Sequence, residues 1–198
     1  MRDGSLVAAF VLAAASSYFS PGPNNLMLMT SSAKFGIGAT VPHAAGIVFG
    51  FPLMVFVVGL GLGEIFTAYP WVNTVMRYGA AIYFLWMAWT MLGIKIGSAS
   101  GGERPMRLYE AAAFQWINPK AWVMAIGFVA LFVQPGEGRL ISLILVTIGC
   151  IALSPVSCGT WMVFGRGLIA FLRRTGGERY LGWILAALIL ASVVLFLI

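Results

Sequence analysis

The stretch LISLILVTIGCI, residues 140–151, carries no charge and does not alternate polar with apolar side chains. Alternation over about ten positions marks a strand of a membrane barrel. Without it, the stretch reads as helix. It opens a longer uncharged run from Ile141 to Gly165, and similar runs cover Gly4 to Ala33, Phe35 to Gly63, Tyr78 to Ile94, Ala121 to Gly136 and Tyr180 to Ile198. A helix crossing the hydrocarbon core needs about 20 mostly apolar residues. The runs therefore predict an all-α integral membrane protein with six transmembrane helices: 5–33 (interrupted), 37–63, 71–95, 107–133, 140–165 and 179–198.

Composition agrees. Charged residues make up 9% of the 198, and hydrophobic residues 61%. Soluble domains carry about 25% charge, so this chain cannot dress a soluble globule. A soluble enzyme, a disordered tail and a secreted disulfide scaffold are excluded. The net charge of +6 does not point to nucleic acid, because the basic residues sit between apolar runs. Lys34, Lys95, Arg104, Arg107, Arg166, Arg173, Arg174 and Arg179 fall on one side of a six-span chain; Arg2, Arg77 and Arg139 fall on the other. Eight against three places the odd-numbered connections in the cytoplasm and both termini outside. Arg2 followed by an apolar run to Ala15 resembles a signal peptide. Asp3 cancels its charge and the apolar run resumes at Leu26, so a retained first span is expected.

The polar stretch from Gly97 to Arg107 splits the chain into three spans and three spans. The halves echo one another. Pro52 precedes Arg77 and Tyr78 much as Pro155 precedes Arg179 and Tyr180, and the first span of each half is interrupted by proline. Three is odd, so the second copy must enter the membrane from the opposite side, giving a 3+3 inverted-topology repeat with proline-broken helices 1 and 4. The expected organisation is one transporter domain: residues 1–96 as the first repeat, 97–106 as a cytoplasmic linker and 107–198 as the second repeat.

The breaks carry the candidate chemistry. The first is Ser20, Pro21, Gly22, Pro23, Asn24 and Asn25. A proline inside a helix costs about 3 kcal/mol against alanine, so two around a glycine should unwind a turn. The carbonyls so freed must face protein or a wet cavity. Ser20, Asn24 and Asn25 are expected to cap the resumed helix. The plainer alternative is a kink that fits 30 uncharged residues, about 45 Å of helix, into a core of about 30 Å. The second break runs from Phe114 to Trp122 and contains Gln115, Asn118, Pro119 and Lys120. Lys120 is the most deeply placed charge in the sequence, and an intramembrane lysine should face the bundle interior. The alternative is that it snorkels beside Trp116 and Trp122.

Other features read more simply. The single histidine, His43, excludes a multi-histidine metal site; it is a hydrogen-bonded packing histidine before it is a proton relay. Cys150 and Cys158 lie about 12 Å apart along a helix, too far for a disulfide. The glycine pairs Gly46 with Gly50 and Gly93 with Gly97 should bring helices together inside the bundle. Tyr69, Trp71, Trp86, Trp89 and Trp183 suit the membrane interface. No Walker-type loop occurs, and no cofactor or metal is expected.

Taken together, the two motifs give the chain a resemblance to the lysine-exporter family of LysE/RhtB type. It covers essentially the whole chain. The resemblance implies a bacterial inner-membrane, multi-pass protein that exports amino acids or derivatives using the proton gradient. The residues of the two breaks place substrate binding at Ser20, Pro21, Gly22, Pro23, Asn24, Asn25, Gln115, Asn118, Pro119 and Lys120, with proton coupling through Lys120 and, second, His43. Expected partners are a small-molecule amino acid and the lipid bilayer, not nucleic acid, with homo-oligomerisation open. Of the six acids, only Glu64 approaches an apolar region, so neutral substrates such as threonine, homoserine or leucine are expected over lysine. A passive channel and a non-transporting subunit of a membrane complex are the alternatives.

Overall fold

A computed structural model gives the fold. It describes residues 2–20, 22–62, 104–134 and 136–197, and scattered positions between 68 and 93. Pro21, Glu64, Arg77 and residues 94–103 lie outside the described residues, as does most of the expected third span. Among the described residues, regular structure is entirely helical. The helices are α1 (Arg2–Phe19), α2 (Pro23–Phe35), α3 (Ile37–Val57, continued by a π-helical turn Val58–Leu62), α4 (Leu108–Phe114), α5 (Pro119–Phe132), α6 (Arg139–Thr175) and α7 (Leu181–Leu197). The described positions from 71 to 92 are helical as well.

Two stretches are individually long and apolar enough to cross a membrane: Ile37–Gly61 and α6. The bent pair α1 and α2 makes a third if counted as one span. The outer surface fits that environment. Leu12 is 71% exposed and Trp89 76% exposed, and Trp71, Trp86 and Trp183 also point outward. Apolar side chains spread over a whole surface mark contact with lipid rather than water.

α6 is the post around which the other helices gather, touching α1, α2, α3 and α5. Small residues set these approaches. A Cβ at Gly165 would collide with the Met29 carbonyl of α2, and nearby Ser32 Oγ donates to Met162 O at 2.8 Å. A Cβ at Gly46 would strike the Leu108 carbonyl, and one at Gly50 would press on Ala112. The Gly46 and Gly50 pair thus seats α4 on α3, as the spacing led us to expect. Near the α1 end, Phe10, Tyr18, Phe51, Phe128 and Phe132 interlock edge to face. Cys150 and Cys158 are both buried and free.

Two corners show how the chain reverses. Between α2 and α3 the turn is Gly36 alone, at φ 90°, a conformation that costs glycine little. The Ser31 and Thr40 hydroxyls bond across it at 3.0 Å. At the far end of α6, Gly176 is left-handed (φ 67°) and Gly177 N donates to Leu172 O at 2.8 Å, a glycine-type helix stop. The apolar run of α6 ends at Gly165 but its helix does not. Arginine is a good helix former, so Arg166, Arg173 and Arg174 carry a helix of 37 residues, about 55 Å long, past the lipid core.

The close approach at Gly165 gives a signed prediction. In an exposed helix interior, glycine to alanine stabilises by up to about 1 kcal/mol. Gly165→Ala should instead destabilise by roughly 1–3 kcal/mol, through overpacking against α2. Gly159→Ala, on the same helix but with open space around it, should be neutral or stabilising. Thermal unfolding in detergent compares the two; equal shifts would contradict the packing.

Candidate functional site

The first break lies between Phe19 and Pro23. α1 and α2 meet there at 55°, and Gly22 is fully extended (φ −176°, ψ 178°). Pro23 occupies the first position of α2, where no N–H is needed. The full penalty of a proline inside a helix is thereby avoided. What remains is the end of α1, whose last carbonyls have no helical partner. Side chains supply the donors. Tyr18 O accepts from Asn25 Nδ2 at 2.7 Å and from Ser157 Oγ of α6 at 2.8 Å. Ser20 O accepts from Asn25 Nδ2 at 2.9 Å and from Lys120 Nζ at 2.6 Å. This corrects one expectation: Gly22 caps α2 with no side-chain bond. Asn25 reaches back to close α1, because its short amide can span two adjacent orphan carbonyls.

The second break follows the same logic. α4 ends at Phe114, a turn follows, and Pro119 opens α5 as its first residue. Here the cap is a side chain: Asn118 Oδ1 accepts from Lys120 N at 3.1 Å. Trp122 Nε1 donates to Trp116 O at 2.9 Å, and Gln115 Nε2 to Ala111 O at 2.8 Å.

The two breaks touch. Asn24 Nδ2 donates to Gln115 Oε1 at 2.8 Å, and Gln115 Nε2 donates back to Asn24 Oδ1 at 3.2 Å. Lys120 Nζ also donates to Ser20 Oγ at 2.7 Å. Gly22 makes room for this, since a Cβ there would fall 2.6 Å from Lys120 Cδ. Lys120 therefore turns towards Ser20, into the protein. Residues 91 to 100 positions apart in sequence form one polar knot.

Beside the knot is a cavity of about 40 Å³, room for roughly three waters at about 10–15 Å³ each. Of the residues chosen from sequence, Gly22, Asn24, Asn25, Asn118 and Lys120 line it. Ser20 and Gln115 stand behind them through the bonds above, and Pro23 and Pro119 set the helix starts. Lys120 is the one charged side chain among the described lining residues. His43 is buried on α3 but does not line the cavity, and its Nδ1 has no hydrogen-bond partner among the described residues.

Sequence reasoning missed Tyr18, Ser154 and Ser157, which share the remaining wall with apolar side chains including Ile47, Phe51 and Met124. A signal was present. Ser154 and Ser157 are hydroxyls at i and i+3 within an uncharged run, flanking Pro155.

The family model for LysE type translocators matches residues 15–198. Over 190 residues the chain is 24% identical to a cysteine/O-acetylserine efflux protein of Klebsiella pneumoniae, covering 96% of each chain. It is 23% identical to a homoserine/homoserine lactone efflux protein of Salmonella typhimurium, covering 83% of this chain and 82% of that one. A leucine efflux protein of an Enterobacter species is 26% identical, over 58% of this chain and 57% of its own. No solved structure matches.

The amide pair can be weighed directly. A double-mutant cycle on Asn24→Ala and Gln115→Ala, read by unfolding in detergent, should give a coupling of about 0.6–1.7 kcal/mol, between the average and the maximum measured for polar contacts between membrane helices. Strict additivity would mean that the contact holds nothing together.

Proposed function

The chain belongs to the family of LysE type translocators, and on that premise we propose that it is a secondary exporter of neutral amino acids or their derivatives. It works in the bacterial inner membrane and is driven by the proton gradient. The observation that carries this reading is the contact between the two broken segments, closed by Lys120 on Ser20 and by Asn24 on Gln115. Names of relatives support the cargo class: the similar proteins above are efflux proteins for cysteine, O-acetylserine, homoserine and leucine.

In this reading Lys120 receives the substrate carboxylate. A carboxylate arriving in the cavity competes with Ser20 for the ammonium; both bonds have an ionised donor, but the carboxylate adds a full opposite charge where Ser20 offers only neutral oxygens. Taking Lys120 away from Ser20 opens the bridge between the two halves. Substrate binding and rearrangement of the halves are thus one event. The substrate ammonium meets the amide oxygens of Asn24 and Asn118. Lysine can release a proton where arginine cannot, so Lys120 is also the first candidate for proton coupling, with His43 second. The frame for this motion is six spans in two inverted repeats, 1–96 and 107–198, joined by a cytoplasmic linker at 97–106. Pro23 and Pro119 support it by opening the resumed helix in each half.

Charge sets the preference. A second cation about 6 Å from Lys120 is repelled by roughly 3 kcal/mol at an effective dielectric of about 20, about a hundredfold in affinity. In proteoliposome counterflow, neutral amino acids should exceed lysine and arginine by about that factor. Lys120→Ala should abolish export while the protein stays in the membrane, and Lys120→Arg should not restore it fully. A protonophore should collapse export against a gradient; undiminished export would indicate a passive channel. Lysine as the best substrate would overturn the role given to Lys120.

Topology is tested separately. Reporter fusions at Gly101 and after Ile198 should report opposite sides, cytoplasmic and extracytoplasmic. The same side for both would rule out the six-span inverted arrangement.

A further inference from the structure

Part of the cavity wall is apolar, and the charged ends of a substrate leave it without a task. Ile47 and Phe51 come from α3, Ala121 and Met124 from α5. Lys120 and Met124 are four residues apart, so they stand on one face of α5, about 6 Å apart along its axis. Phe51 lies on the Met124 side of Lys120. Its ring packs edge to face on Phe128, a further turn along α5, with centroids 6.3 Å apart. A ligand whose carboxylate is at Lys120 therefore extends towards Met124 and Phe51. The four residues differ in stiffness. Phe51 is 2% exposed and is also held edge to face by Tyr18 at 5.8 Å. Ile47 is buried in a cluster with Ala111 and Cys158, and Ala121 is buried with no side chain to swing. Met124 alone of the four is only partly buried. Its unbranched thioether turns about three bonds and fills irregular gaps.

We propose that Met124 gauges the length of the substrate side chain: it closes the apolar end of the cavity, admits short aliphatic and hydroxylated side chains, and excludes aromatic ones. The inference rests on the reading of this cavity as the transport site. The charged groups of the substrate replace the bonds of the knot, which leaves the cavity of about 40 Å³ for its side chain. That is the place of roughly three waters, and each water gives way to about one non-hydrogen atom. Threonine, homoserine and valine bring three such atoms beyond the Cα, leucine four and phenylalanine seven. Methionine swings to take a fourth atom at little cost. Three more meet Phe51, which the rings of Tyr18 and Phe128 hold in place. One methylene too many in an apolar pocket is worth about 10–200-fold, so phenylalanine is refused by size alone. Replacing Met124 by alanine removes three non-hydrogen atoms, which is the difference between leucine and phenylalanine. Met124 thus acts as a specificity-determining residue at the apolar end, distinct from the Lys120 anchor.

The test is counterflow in proteoliposomes of the full chain, with phenylalanine and valine compared in each preparation. Both are neutral, so Lys120 contributes equally to both. The wild type should take leucine at a rate close to that of valine, and phenylalanine at less than about one tenth of it. Met124→Ala should raise the phenylalanine-to-valine ratio by roughly tenfold or more. Met124→Leu conserves volume and should keep the wild-type ratio. Val123→Ala, the next residue but 58% exposed on the outer face, should keep it too, which controls for a general loosening of α5. Met124→Val is a smaller truncation; it should move the ratio the same way by less, and it carries the test if Met124→Ala fails to fold. The ratio is internal to each preparation, so partial misfolding lowers both rates and leaves it intact. Three results would overturn the gauge and leave the exporter reading standing: phenylalanine taken as well as valine by the wild type, a ratio moved by neither truncation, or the same gain in Val123→Ala. No counterflow of any amino acid by the wild type would overturn both.

Discussion

A carbonyl oxygen inside a hydrocarbon layer must find a donor in the protein, and that requirement organises this molecule. α1 stops at Phe19, with its last carbonyls turned inward. Each donor that answers them comes from a different place: Asn25 from the next helix, Ser157 from α6 and Lys120 from α5. Three separate segments are fixed to one helix end because an unsatisfied peptide group in lipid costs several kcal/mol. The break is thus a junction. Its polarity collects the functional side chains, and its stability depends on their being there.

The helical class was legible in the sequence, and for physical reasons. Long uncharged runs have one stable solution in lipid, and proline with glycine marks where that solution stops. The partners were not legible. Asn25 was expected to cap α2, because a polar residue just after a helix start usually serves that start. It closes α1 instead, since Pro23 had already removed one orphan N–H and the orphan carbonyls were the larger liability. Ser154 and Ser157 went unremarked because single hydroxyls in an apolar helix normally bond to their own backbone four residues back. Thr147 and Thr160 on the same helix do that, at 2.8 Å each. Only the fold separates the hydroxyls that turn back upon their own helix from one that bonds to α1, as Ser157 does.

Lys120 is placed by two requirements that would conflict elsewhere. Its backbone N–H is capped by Asn118, which fixes the start of α5. Its ammonium reaches across to Ser20, which closes the end of α1. A charge held between helices is tolerable when oxygens meet it, as both Ser20 oxygens do here. Gly22 allows the stem to lie close enough for that. A side chain at position 22 would not strain the extended backbone; it would displace the lysine. The glycine is therefore kept for space, where Gly36 and Gly176 are kept for their positive φ.

The arrangement also explains how a small site can couple to a large motion. Beside the aromatic packing of Phe10 and Tyr18 on Phe128, two hydrogen-bonded contacts run directly between the broken segments: the amide pair and the lysine bridge. Both are polar, and both consist of groups that a zwitterionic ligand can bind instead. Apolar packing between helices offers a ligand nothing to exchange with. A hydrogen bond can be traded one for one, at a small net free-energy difference. A ligand can move an equilibrium only by its differential affinity for the two states. Here the carboxylate gains the bond that Ser20 gives up, and the ammonium gains the amide oxygen that Asn24 had offered to Gln115. In the reading proposed above, the bonds that hold the closed form are the bonds the substrate takes over, so binding and opening draw on the same few donors and acceptors.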